Sequence, residues 1–273
     1  MNSPASLYQA RYGSADVTVP VATSPVIDHL LAHRSVRSYL PDPVDDDQLA
    51  AIVAAAQSAS SSSNLHAWSV VAVRDPAHKA RLAELAGDQA HIRQAPLLLV
   101  WLADLARLER VAQKVGETPK ALDYLEMFAV GVIDAALAAQ NAVAAAESLG
   151  LGTVYIGAMR NRPEEVAAEL QLPPRVVAMF GLCVGTPDPA RPAAIKPRPP
   201  QSVVLHHETY SLPVQDGGLE HYDSAMSRFY ASQGLKVHGS WSDHSAKRVR
   251  DAAALTGRDR LVEALNALGF PLK

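Results

Sequence analysis

Apolar positions recur along this chain with a helical period in some stretches and as unbroken runs in others, and the switches between the two set its elements. Leu49, Ile52, Val53 and Ala56 fall at i, i+3, i+4 and i+7 behind the acidic residues 45–47, which predicts a capped helix with one face to the core. Pro25 opens a shorter helix through Ala32, Asp75-Pro76 opens another to about Ala86, and Arg162-Pro163-Glu164-Glu165 opens a third. Residues 68–73 and 153–156 read as strands. Residues 97–102 and 176–184 are wholly apolar and read as strands buried on both faces. Amphipathic helices are expected at 219–232 and 245–268. Between Thr186 and Pro200 six prolines demand an extended, irregular path. Residues 104–117 read as a charged connector.

One stretch stands apart. Residues 119–150 read as a single helix, begun by Thr118-Pro119 and ended by Gly150 and Gly152. At roughly 1.5 Å per residue it would be about 45 Å long. From Met127 to Ala139 the only charge is Asp134, so this part is apolar on every side and must be buried all round. A chain of this size rarely buries such a length alone, which predicts a helix that serves as core and as subunit interface. Strands alternating with helices predict an α+β, three-layer α/β/α sandwich: a central mixed sheet built around a long buried helix.

Composition narrows the chemistry. The 273 residues suit one large domain or two small ones, and 25 Lys and Arg against 28 Asp and Glu leave a formal charge of −3. That balance advertises neither nucleic acid nor an anionic membrane as a partner. A single cysteine, Cys183, sits inside an apolar run and suits a reducing compartment as a buried core thiol. The first twenty residues lack a basic-then-apolar leader pattern, so a cytoplasmic location is expected. The apolar run 95–103 is too short to span a bilayer. Gly150-Leu151-Gly152 follows a helix and lacks the third glycine of a dinucleotide fingerprint. His206-His207-Glu208 lacks metal-ligand spacing, so no metal is expected.

What remains are pieces suited to anions. His33, Arg34, Ser35 and Arg37 follow the first short helix, Ser60 to Ser63 offer four hydroxyls in one loop, and Lys196-Pro197-Arg198 sets two cations on a proline-stiffened stretch. Guanidinium forks suit phosphate. Each piece alone also suits a solvated surface.

Taken in order, these pieces resemble the oxygen-insensitive nitroreductase and flavin reductase family, in its NADPH-preferring branch. The resemblance rests on His33-Arg34-Ser35-Val36-Arg37, Ser60-Ser61-Ser62-Ser63, Gly87-Asp88-Gln89-Ala90-His91, Ala139-Gln140-Asn141, the run Ala146-Glu147-Ser148-Leu149-Gly150-Leu151-Gly152, Tyr155-Ile156-Gly157, Phe180-Gly181-Leu182-Cys183-Val184-Gly185, Lys196-Pro197-Arg198 and Trp241-Ser242-Asp243-His244. It covers about residue 26 to the end. It implies an intertwined homodimer holding FMN, with residues 1–25 as an irregular arm, 26–212 as the FMN-binding domain and 213–273 as its helical extension.

The resemblance also implies roles. Arg34, Lys196 and Arg198 would grip the FMN phosphate with His33 and Ser35 nearby, and Arg37 would sit by the pyrimidine edge of the ring. Ser61, Gln89 and His91 would hydrogen-bond the ribityl chain or ring edge, while Tyr155, Ile156 and Gly157 would line the ring. No side chain would act as nucleophile or proton relay; the flavin would carry hydride from NADPH or NADH to a small-molecule acceptor, in ping-pong fashion. Nitroaromatics, quinones or related acceptors fit, as does free flavin delivered to a monooxygenase; a dimeric flavin- or phosphate-binding protein is the non-enzyme alternative. The family's NADPH-binding loop is arginine-rich, whereas here Gln233 stands where arginine is expected and only Lys236 and His238 are cationic. That departure implies weaker NADPH selectivity.

Overall fold

Strand β2 (Leu97–Asp104) is buried at every residue, and the rest of the larger part of the molecule is layered on it. In this computed structural model, which describes residues 4–14, 20 and 22–273, the other strands are β1 (Trp68–Val73), β3 (Gly152–Ile156) and β4 (Val176–Gly185). They form one sheet in the order β1-β2-β4-β3, antiparallel at each pairing. The expected mixed sheet is therefore antiparallel, with one parallel contact among the described residues, the bridge between Ser35 and Thr153.

The helices are α1 (Pro4–Tyr12), α2 (Pro25–Leu31), α3 (Asp46–Gln57), α4 (Pro76–Leu85), α5 (Ala90–Gln94), α6 (Ala106–Lys114), α7 (Leu125–Ser148), α8 (Pro163–Glu169), α9 (Asp216–Ser232), α10 (Trp241–Arg248) and α11 (Leu261–Ala267). Alternation along β2 separates the two faces of the sheet. Leu97, Leu99 and Trp101 pack with Ile52 and Ala56 of α3 and with Ala138, Ala142 and Val143 of α7. Leu98, Val100 and Leu102 pack with Leu82 and Leu85 of α4, Ile92 of α5 and Val166 of α8. The three layers expected from the sequence follow from that alternation.

Several starts and stops obey local signals. Asp45 and Gln48 form a reciprocal capping box at α3, and the Asp75 carboxylate accepts from the His78 amide at α4. At the end of α7, Gly150 takes φ +81°, the Leu151 amide donates to Ala146 O and the Gly150 amide to Glu147 O, a Schellman closure.

The long helix starts later than expected. Residues 120–123 form a 3-10 turn, and Tyr124 is extended at φ −90°, ψ 149°. Distant groups hold that first turn aside: Arg175 and Lys273 both bind the Asp123 carboxylate, and the Leu125 amide donates to Lys273 O. The 24 residues of α7 span about 36 Å. Length and composition alone would let α7 cross a bilayer, but nine of its residues are buried in this fold. It is not buried all round: Ile133 is 54% and Leu137 43% exposed.

Three further expectations change. Residues 4–12 of the expected irregular arm are helical as α1, with Leu7, Tyr8 and Arg11 buried; residues 1–3, 15–19 and 21 of that arm lie outside the described residues. The connector 104–117 contains α6. The expected helix 245–268 is instead α10, two 3-10 turns and α11, because Thr256 and Gly257 both adopt positive φ and no α-helix continues through them.

The chain forms two compact units. Met1–Arg34 with Ala194–Leu255 make the first, and Ser35–Ala193 with Thr256–Lys273, which contain the sheet, make the second.

Candidate functional site

In the first unit, one side chain organises the cations. Arg11 lies on the last turn of α1 and is 7% exposed. Its guanidinium donates to Leu31 O at 2.7 Å and His33 O at 2.6 Å, where α2 ends, and to Lys196 O at 2.9 Å. The Arg198 amide donates to Arg11 O at 2.7 Å. The end of α2 and the proline-stiffened stretch are thereby held against the same residue.

Pro197 is buried, and its carbonyl accepts from the Tyr222 hydroxyl of α9 at 3.2 Å. Gly13, just after α1, has φ +64°, and a Cβ there would sit 2.9 Å from Ala225 Cβ and 3.2 Å from Pro197 Cγ. Only glycine fits both the turn and the close approach. Arg34, Lys196 and Arg198 themselves are exposed. Arg34 and Arg198 reach nearby carbonyls only at 3.4 Å, at the far edge of hydrogen bonding. Lys196 Nζ lies 5.6 Å from the centre of the Tyr230 ring, a cation–π contact.

In the second unit, Ser35 and Val36 lie beside β3. The Val36 amide donates to Thr153 O at 2.8 Å, and the Thr153 hydroxyl donates to Glu147 at 3.1 Å. A Cβ at Gly152 would come within 2.7 Å of Val36, so glycine sets this approach. Arg37 follows and is exposed. His91 titrates below the ordinary imidazole value because it is buried and, secondarily, because the Arg37 charge is near. Burial pushes the Tyr39 phenol up, and its hydroxyl donates to Val36 O. Gln89 follows the left-handed pair Gly87 and Asp88, and its side-chain Nε2 donates to Ala86 O at 2.9 Å.

Tyr155 is 39% exposed and meets Phe180 edge-on with ring centres 5.4 Å apart. Its phenol is raised by burial, then by Glu147. Ile156 points into the core, which leaves only its backbone for a ligand. At Gly157 the nearest atom to an added Cβ is an Arg160 nitrogen at 3.6 Å.

Ser61 is placed differently. Its hydroxyl donates to Asp134 of α7 at 2.8 Å and accepts from the His66 amide at 2.8 Å. Asp134 is 1% exposed and also accepts from the Ser62 and Ala67 amides, each at 3.0 Å. Ser63, Asn64 and His66 all have positive φ, so this loop is strained and is held from beneath by one carboxylate. The lone charge between Met127 and Ala139 was the sequence signal for Asp134. Nothing in the pattern of 1–25 marked Arg11.

The remaining candidates sit after α9. Gln233 lines an open cavity of about 420 Å³ with Ala10, Ile195, Arg228 and Phe229, and Lys236 and His238 are exposed. The His206 ring meets that of Tyr210 at a tilt of 46°, with ring centres 4.6 Å apart. Burial raises the Cys183 thiol to about 12. Among the described residues no three His, Cys, Asp or Glu side chains gather as metal ligands.

These residues follow the order of a known family. The nitroreductase family matches residues 30–186, and its C-terminal domain matches residues 196–273. The chain is 39% identical over 249 residues to the oxygen-insensitive NADPH nitroreductase of Salmonella typhimurium, covering 90% of this chain and 98% of that protein. This chain belongs to the nitroreductase family. It is also 40% identical over 221 residues to an FMN reductase (NADPH) of Bacillus subtilis, across 80% of this chain and 88% of the relative. The solved NADPH:FMN oxidoreductase from Vibrio harveyi complexed with NAD+ superposes with a TM-score of 0.81 at 32% identity, over 92% of this chain and all of that one.

Proposed function

We propose that this nitroreductase-family chain is an FMN-dependent NAD(P)H oxidoreductase that passes two electrons at a time to nitroaromatics, quinones or related small acceptors. The observation that carries the reading is the convergence on Arg11, in the first unit, of the His33 and Lys196 carbonyls and the Arg198 amide, with Arg34 next to His33 in the chain. Three exposed cations, on segments that the side chain and the carbonyl of one buried residue hold together, suit a phosphate dianion. The donor set fits FMN.

Bound FMN supplies the hydride chemistry. Arg34, Lys196 and Arg198 bind its phosphate, with His33 beside them. In the second unit, Ser35 offers a hydroxyl, and Arg37 a positive charge that favours the negative charge arriving with electrons. Gln89 and His91 offer hydrogen bonds, Tyr155 an aromatic surface, and Gly157 a backbone that a ring can approach closely. Ser61 contributes through its loop, since its hydroxyl is held by Asp134. No side chain is required as nucleophile.

Lys236 and His238, with Gln233, are the cationic and polar groups available to NAD(P)H. One lysine makes a poorer phosphate fork than arginine, so discrimination between NADPH and NADH is modest. The exposed stripe Ile133, Ala136, Leu137 and Gln140 on α7 is the surface that a second copy covers, giving a homodimer.

The purified protein is expected to be yellow, to bleach when NADPH is added without oxygen, and to regain colour with a nitroaromatic or quinone. Colourless protein that fails to take up added FMN would overturn the reading. A second reading, delivery of reduced flavin to a monooxygenase, draws on the similarity to the Bacillus subtilis FMN reductase. Turnover faster with free FMN than with quinones or nitroaromatics would favour it.

A further inference from the structure

Helix α1 lies ahead of the region that matches the family, which begins at residue 30. We infer that Arg11 of this helix is a positioning residue for the phosphate clamp, fixing two sequence-distant groups of cations that touch the ligand in its place. The inference rests on the FMN reading of those cations.

The geometry is specific to a guanidinium. Three carbonyls accept from Arg11: those of Leu31 and His33 at the end of α2, and that of Lys196 on the proline-stiffened stretch. Carbonyls at a helix C-terminus carry partial negative charge and lack partners within the helix. Three carbonyl oxygens converging at one point, one or two of them at a helix end, repel one another unless a cation with several rigid donors stands between them. Arginine has five donors in a planar fork, whereas lysine is a point charge on a flexible stem. The Arg11 carbonyl accepts from the Arg198 amide, so the backbone of α1 holds the second cation as directly as its side chain holds the first.

Arg11 is buried and directed at backbone oxygens, while Arg34, Lys196 and Arg198 are exposed. Its effect on a ligand therefore passes through where those three stand. A clamp already held in its binding arrangement loses less conformational entropy on capturing an anion. Two neighbouring contacts tie the same end of α1 down. Arg228 donates to Gly13 O at 3.0 Å, and Gly13 packs directly on Pro197 and Ala225.

The test separates the phosphate from the ring. Equilibrium affinities for FMN and for riboflavin, which lacks the phosphate, are measured on the full-length chain and on its Arg11→Met and Arg11→Lys variants. Arg11→Met is expected to weaken FMN about ten- to a hundredfold, in line with the loss of a well-placed charge-assisted contact. Riboflavin affinity stays unchanged, and Arg11→Lys falls between. A general loss of structure would weaken both flavins alike, so equal weakening overturns the inference, as does an unchanged FMN affinity. If the unaltered chain binds riboflavin and FMN equally well, the cations are not a phosphate clamp and Arg11 has nothing to position. If it binds neither flavin, the cofactor reading falls and this inference falls with it.

Discussion

Single side chains differ widely in how far their chemistry could be read from their surroundings in sequence. Arg34, Lys196 and Arg198 each suit a solvated surface when read alone, and only their order along the chain, through the family resemblance, marked them as candidate anion ligands. His91 was legible only through resemblance, yet its environment now makes a measurable statement. Burial and the Arg37 charge both favour the neutral imidazole, so the folded chain resists protonating it. The unfolded chain takes that proton near 6.5, the folded chain only at lower pH. Stability is therefore lost as pH falls below about 6.5 and levels off once the folded group has also protonated. Nuclear magnetic resonance titration should place His91 below the ordinary value, and Arg37→Gln should move it upward. An unmoved titration would mean that Arg37 does not sense His91.

Among elements, those with local punctuation were placed well from sequence and those shaped by distant contacts were not. Asp45 and Asp75 cap α3 and α4 where they should, and Gly150 closes α7. The start of α7 could not be read, because Lys273 and Arg175 decide it from more than fifty residues away in sequence. Residues 245–268 carry helical periodicity, but Thr256 and Gly257 interrupt it. Helix α7 also supports the strained serine loop through Asp134. Replacing Asp134 by alanine leaves the Ser62 and Ala67 amides without their acceptor. Urea unfolding should show a loss of about 2–5 kcal/mol, the cost of orphaned buried donors. A loss under 1 kcal/mol, on the order of an ordinary surface change, would mean that the loop finds other support.

At the scale of the molecule, the apolar length of α7 foretold a helix with more apolar surface than one chain buries. Its inner face carries the sheet, and its outer stripe, led by Ile133 and Leu137, stays exposed in the single chain. Ala136 sits in the middle of that stripe. Ala136→Trp is expected to convert a dimer to a monomer in analytical ultracentrifugation while circular dichroism stays unchanged. A variant that sediments as the unaltered chain does would place the subunit contact elsewhere. The three-layer plan was legible because strands alternate with helices, with residues 97–102 wholly apolar. The antiparallel order was not, since an unbroken apolar run fits either direction of pairing.

The tight fit at Gly152 carries a consequence for the residues beyond it. A Cβ there would overlap the Val36 side chain, and Val36 is the rung from which Arg37 projects. One methyl group, as in Gly152→Ala, would thus act as a wedge, prising the 35–37 segment off the sheet margin without touching any charged atom. Its signature would be remote: the His91 titration should drift toward that of free imidazole even though the altered atom lies on β3 and His91 on α5.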